Sequence, residues 1–158
     1  MKYIIHREFR MTAAIQLNPE RRHQAKQLIE ELKAERHEVW AMYCHIAELK
    51  PFSANQKVRN MLTEFSELLV DYISLCHFGI YERLLAGDER RNAVLSLAQE
   101  IYPELSKTTD AAIAFNDKYE NIGHPFDNGV LQQDLSVLGE NLALRIDLED
   151  RLCAILLY

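Results

Sequence analysis

From Met61 to Leu85 the chain runs for twenty-five residues with one glycine and no proline. A helix turns by about 100° per residue, so apolar residues recurring at three and four mark one face. Leu62, Phe65, Leu69, Tyr72, Ile73, Cys76, Ile80 and Leu84 obey that rule and form the expected core stripe. The opposite side is not an ordinary solvated face of Lys and Glu. Glu67, Asp71, Ser74, Phe78 and Leu85 share a second stripe, with His77 and Tyr81 along its margin. A large aromatic beside a lone carboxylate is out of place against water. The helix therefore reads as two-sided, with one face for the core and the other for something else.

The rest of the chain supplies helices to pack against it. Five Gly and four Pro in 158 residues leave long uninterrupted segments. Asn18-Pro19-Glu20 opens a first helix, with Asn as cap, Pro at the first position and an acid in the first turn. Leu28, Leu32, Val39, Met42, Tyr43 and Ile46 carry its stripe, and it should end near Leu49, ahead of Lys50-Pro51. Ser53-Ala54-Asn55 restarts the chain into the two-sided helix, which Gly87-Asp88 stops. A shorter helix from about Glu89 to Tyr102 meets a break or kink at Pro103, with another short one following to about Tyr119. The stretch 121–129 is dense in turn residues. A last helix runs from about Val130 to Leu157, with the stripe Leu131, Leu135, Leu138, Leu142, Ile146, Leu152, Cys153 and Leu156. The expected fold is all-α: an antiparallel bundle of three long helices plus shorter connecting ones. Residues 1–17, with Met11 as an alternative start, form a lead-in, and 18–158 form a single domain.

Charge and chemistry narrow the function classes. A formal net charge of −6 argues against a broad nucleic-acid or anionic-membrane surface and suits a basic partner. The N-terminus is charged too early for a signal peptide, and no run approaches the roughly 18 apolar residues of a membrane span; a cytoplasmic protein is expected. Cys44, Cys76 and Cys153 are far apart and flanked by apolar residues, so reduced, core-packed thiols are expected. A ferritin-like metal site needs two Glu-x-x-His pairs on facing helices, and only Glu20 and His23 have that spacing. Cys76 and His77 are adjacent, which on a helix points them about 100° apart and spoils a nucleophile–base pair. Neither a phosphate loop nor a nucleophile elbow is present. No enzyme, metal or cofactor is expected. Arg145 and Glu149 fall on the apolar line of the last helix, four apart. Either both reach solvent, or they form a buried polar network that fixes helix register, with Tyr72 and His77 as further members.

Leu69 to Ser74 and His77 to Leu84 closely resemble the central helix of the Rsd/AlgQ family, regulators of the primary sigma factor. Tyr43 leading into Lys50-Pro51, and Leu148-Glu149-Asp150-Arg151-Leu152 in the last helix, agree in order and spacing. The resemblance covers roughly residues 28–85 and 130–157. It implies a non-catalytic, helical anti-sigma factor of stationary phase, which binds the C-terminal, promoter-reading region of the primary sigma factor. That binding would mask the helix-turn-helix that reads the −35 element and contacts core RNA polymerase. Asp71, Ser74 and Phe78 match family positions that face sigma, and Glu67, Tyr81 and Leu85 complete the expected partner-binding set. The expected complex is one monomer on one sigma factor, with no direct nucleic acid and no membrane. The alternative is a helical adaptor, or a homodimer, serving another basic protein.

Overall fold

The computed structural model describes residues 19–53, 55–85, 87, 89–121 and 126–158, without the side chain of Leu85. The lead-in, the Met11 start and residues 122–125 of the expected loop lie outside that set. Helix α1 spans Pro19–Ala47, α2 Gln56–Ser74, a π-helical segment Leu75–Tyr81, α3 Glu82–Leu85, α4 Asn92–Tyr119 and α5 Asn128–Leu156. The π segment joins α2 to α3 without a gap, so the bundle has four long rods, and no strand occurs among the described residues. Local chemistry sets the ends. The Asn55 side chain accepts from the Val58 amide at 2.9 Å and starts α2. Asp127 does the same for Val130 at 3.0 Å and starts α5.

Helix α1 packs on α2, α2 on α4, and α4 on α5, while α1 closes the ring against α5 and the π segment. Short connections between packed neighbours make them run antiparallel. One apolar core fills the centre, and all eight positions of the expected core stripe on the central rod are buried in it.

Three expectations fail, each for a physical reason. Pro103 does not break α4, which continues from Asn92 through it to Tyr119. Proline removes its own N–H and frees the carbonyl four residues earlier, but Pro103 and Gln99 are both exposed, where water takes over. The buried positions Val94, Ala98, Ile101, Leu105, Thr108, Ala112 and Phe115 keep helical spacing straight across it. Packing of that unbroken face outweighs one lost hydrogen bond. Cys44 is not core-packed; it is exposed, while Cys76 and Cys153 are buried. It occupies the outer side of α1, whose inner side is carried by Ile29, Leu32, Val39 and Ile46.

The third failure is the assumption of a constant period in the central rod. At the end of the π segment the Glu82 amide bonds to the His77 carbonyl, five residues back instead of four. The wider turn brings Ile80 and Tyr81 both inward, at 4% and 2% exposure. Close approach of α1 accompanies it: a Cβ on Gly79 would come within 2.9 Å of Leu28 Cδ1. A second close approach joins α1 to α5, where a Cβ on Gly139 would overlap the Tyr43 hydroxyl. That hydroxyl donates to the Leu135 carbonyl at 2.7 Å.

Candidate functional site

Inside the bundle, Arg145 and Glu149 are buried at 1% and 2% exposure and pair at 3.1 Å. The Tyr72 hydroxyl donates to Glu149 Oε1. The Arg145 guanidinium donates to Thr108 at 3.3 Å and Thr109 at 2.8 Å, and lies 5.4 Å from the Tyr72 ring centroid. From α1, Arg36 approaches Glu149 at 3.8 Å and pairs with Asp150 at 2.7 Å. Two guanidinium groups thus meet two carboxylates, and each of the four rods contributes at least one member. Burial and the Glu149 carboxylate push the Tyr72 hydroxyl far above its ordinary pKa. Burial likewise raises the pKa of the Cys76 thiol, which keeps it protonated. His77 does not join this cluster. It is exposed and packs edge-on against Phe78 at 5.0 Å, because its position turns it away from the core stripe. Arg36, Thr108 and Thr109 carry no signal of this role in the sequence, since spacing on one helix does not reveal which neighbour it meets.

On the outer side of the central rod, Glu67 and Asp71 are exposed and Ser74 is half-buried. Phe78 is 59% exposed and Val70 42%. These residues form a continuous strip beside His77. Tyr81 is not part of it: the π turn carries its ring inward, 5.7 Å from Tyr102. Leu85 cannot be placed on the strip, because its side chain lies outside the described residues. Among the described residues neither Glu67 nor Asp71 is in an ion pair.

Two neighbouring helices extend this strip in ways a single-helix pattern does not show. On the α1 side, the Glu35 carboxyl is held above the ordinary carboxylate range by burial, then by Glu31, Asp71 and Glu38. On the α4 side, a groove of about 440 Å³ runs between α2 and the end of α4, lined by Thr63, Ser66, Glu67, Val70, Asp71, Asn116, Glu120 and Asn121. The strip therefore has an aromatic, small polar groups and carboxylates, with acidic residues on both flanks. Such a surface attracts cations and offers an apolar anchor. No group of three or more His, Cys, Asp or Glu among the described residues is placed to hold a metal ion. None of the described helices is long and apolar enough to cross a membrane.

The described residues thus form a helical bundle with an acidic, aromatic-bearing face and a buried Arg-Glu-Tyr centre. The chain belongs to the Rsd/AlgQ family, regulators of the RNA polymerase sigma(70) subunit, whose family model matches residues 11–157. A Regulator of sigma D from Yersinia enterocolitica is 35% identical over 132 residues, spanning 81% of this chain and 79% of the relative. One from Yersinia pseudotuberculosis is 35% identical, with 81% and 78% covered. A third, from Shigella dysenteriae, is 36% identical over 118 residues, with 73% and 74% covered. No solved structure gives a significant match.

Proposed function

We propose that this regulator is a cytoplasmic anti-sigma factor that seizes the C-terminal, promoter-reading region of the primary sigma factor with the strip Glu67, Asp71, Ser74 and Phe78. The observation that carries the reading is the exposed Phe78 ring in line with two carboxylates that lack an ion pair, on a rod whose other face is wholly buried. A helix-turn-helix is basic because it holds phosphates. An acidic strip with an aromatic anchor covers such a surface and competes with promoter DNA and core polymerase for it. The rod is stiffened by its packing on α1 and α4, so little order has to be gained on binding.

Calorimetric titration of the C-terminal sigma fragment into the protein tests this. Asp71→Ala should weaken binding by about 2–5 kcal/mol if the cation it meets is desolvated, much of that from leaving the cation unpaired. Phe78→Ala should cost about 2 kcal/mol or more. Both residues are exposed, so circular dichroism should show unchanged folding, and affinity should fall as salt rises. Unchanged affinity in both folded variants would remove the strip from the interface. Absence of heat with the wild type would remove the sigma-binding function itself.

A further inference from the structure

The groove between α2 and α4 carries two polar atoms that the bundle leaves unused. Ser66 and Asn116 are buried at 1% and 8% exposure, yet Ser66 Oγ and Asn116 Oδ1 have no hydrogen-bond partner. Both residues line the groove, one from each wall. The Asn116 amide is oriented by its own Nδ2, which donates to Glu120 Oε2 at 2.9 Å, so its oxygen is the end left over. Buried acceptors without donors are destabilising, and native proteins rarely keep them without a reason. Around this pair stand the carboxylates of Glu67, Asp71 and Glu120, and the lining holds no Lys or Arg. The half-exposed Val70 side chain adds an apolar wall.

We propose that this groove is a socket for one arginine side chain of the basic partner. The inference rests on the reading that the α2 strip docks a basic protein, and it names the group that anchors there. A guanidinium presents five N–H donors in a planar fan, so one group can reach Ser66 Oγ on α2 and Asn116 Oδ1 on α4 together. It has no acceptor of its own to conflict with the surrounding carboxylates. An ammonium is a compact, strongly hydrated point charge and satisfies two separated walls less well. The aliphatic stem of the arginine lies along Val70, as long cationic side chains do on apolar surface. The volume of about 440 Å³ admits such a side chain together with bridging water.

Two titrations decide the matter separately. In the first, N-acetyl-arginine amide is titrated into isotope-labelled full-length protein and followed by NMR, against the uncharged analogue N-acetyl-citrulline amide. Saturable shifts should appear at the Asn116 side-chain amide, Ser66 and Val70 with arginine alone, and should vanish in Ser66→Ala and Asn116→Leu. Equal shifts with citrulline, shifts elsewhere only, or shifts that persist in both variants would overturn the socket. Spectral dispersion identifies a variant that fails to fold, and Ser66→Ala, which only removes a hydroxyl, remains as the conservative test. In the second, the sigma fragment is titrated into Ser66→Ala and Glu120→Gln, and each should bind about tenfold more weakly, about 1.4 kcal/mol. Unchanged fragment affinity in both variants would overturn the claim that the partner fills the groove. Failure of the fragment to bind the wild type, with the arginine amide still saturating, would sink the sigma reading and leave the socket standing.

Discussion

Replacing Glu149 with Gln changes one atom and removes the negative charge on which the interior depends. Arg145, 1% exposed, would keep its charge with only the Thr108 and Thr109 hydroxyls and the Tyr72 ring around it. Arg36 keeps Asp150, and the Tyr72 hydroxyl still finds an amide oxygen at the same place. The change is therefore close to a pure loss of charge compensation, for which breaking a buried pair costs about 3–5 kcal/mol. Against a total stability of about 5–15 kcal/mol this is a large share. At about 2–4 °C per kcal/mol for a domain of this size, the melting temperature should fall by roughly 6–20 °C. The companion variant Arg145→Met with Glu149→Leu removes both charges together. It should lose much less than Glu149→Gln, since replacing a whole buried pair with apolar groups is often neutral, although the Tyr72 and Thr109 hydroxyls then lose their partners. Urea unfolding followed by circular dichroism gives both free energies. A loss below about 1 kcal/mol for Glu149→Gln, or a double variant worse than the single, would refute the view that charge compensation holds this centre together.

Gly139→Ala should cost about 1–3 kcal/mol, because the new methyl overlaps the Tyr43 hydroxyl and displaces its bond to Leu135; thermal melts of Gly139→Ala and of Gly139→Ala with Tyr43→Phe check it. Burial alone would raise the Asp134 pKa, but Lys118 at 2.6 Å and the Tyr119 hydroxyl at 2.6 Å outweigh it and hold the pKa below 3.8. Its folded pKa being depressed, the stabilisation it gives is present above the unfolded value and is lost as pH falls through the folded one; a carboxyl NMR titration midpoint at or above 3.8 would contradict this. Thiol titration should find Cys44 reacting at once in the native protein, with Cys76 and Cys153 reacting only on unfolding. For Cys153 burial also pushes the pKa up to about 11.

What the sequence makes legible follows from what a helical period encodes. Leu62, Phe65, Leu69 and Tyr72 are spaced by the angle around one axis, and that angle alone separates the buried face from Glu67 and Asp71. It does not encode which helix lies opposite. Arg36, Thr108, Asn116 and Glu120 therefore gain their roles only once α1 and α4 are set beside α2. Tyr81 illustrates a different limit, since counting at a fixed angle assumes a fixed number of residues per turn, and the π segment violates it. Pro103 illustrates a third. A proline is a helix breaker when its freed carbonyl is buried, and burial is a tertiary property.

The π segment also bears on how such a chain tolerates a change of length. Along the core stripe, positions 62, 65, 69, 72 and 76 alternate steps of three and four into the start of the segment, and 80 and 84 follow from within it in steps of four, with Tyr81 also buried. Removing one residue between 76 and 80 would restore the alternation, leaving both flanks seated in the core as they are now. Within this helix the segment thus behaves as a spare link. Elsewhere along the rod a one-residue deletion would spin every later side chain by about 100° and expose half the core. Here the loss of one link re-aims the neighbourhood of Phe78 and little else. The surface offered to a partner can thereby shift by a one-residue deletion while the packing beneath it stays in register, a route that point substitution does not provide.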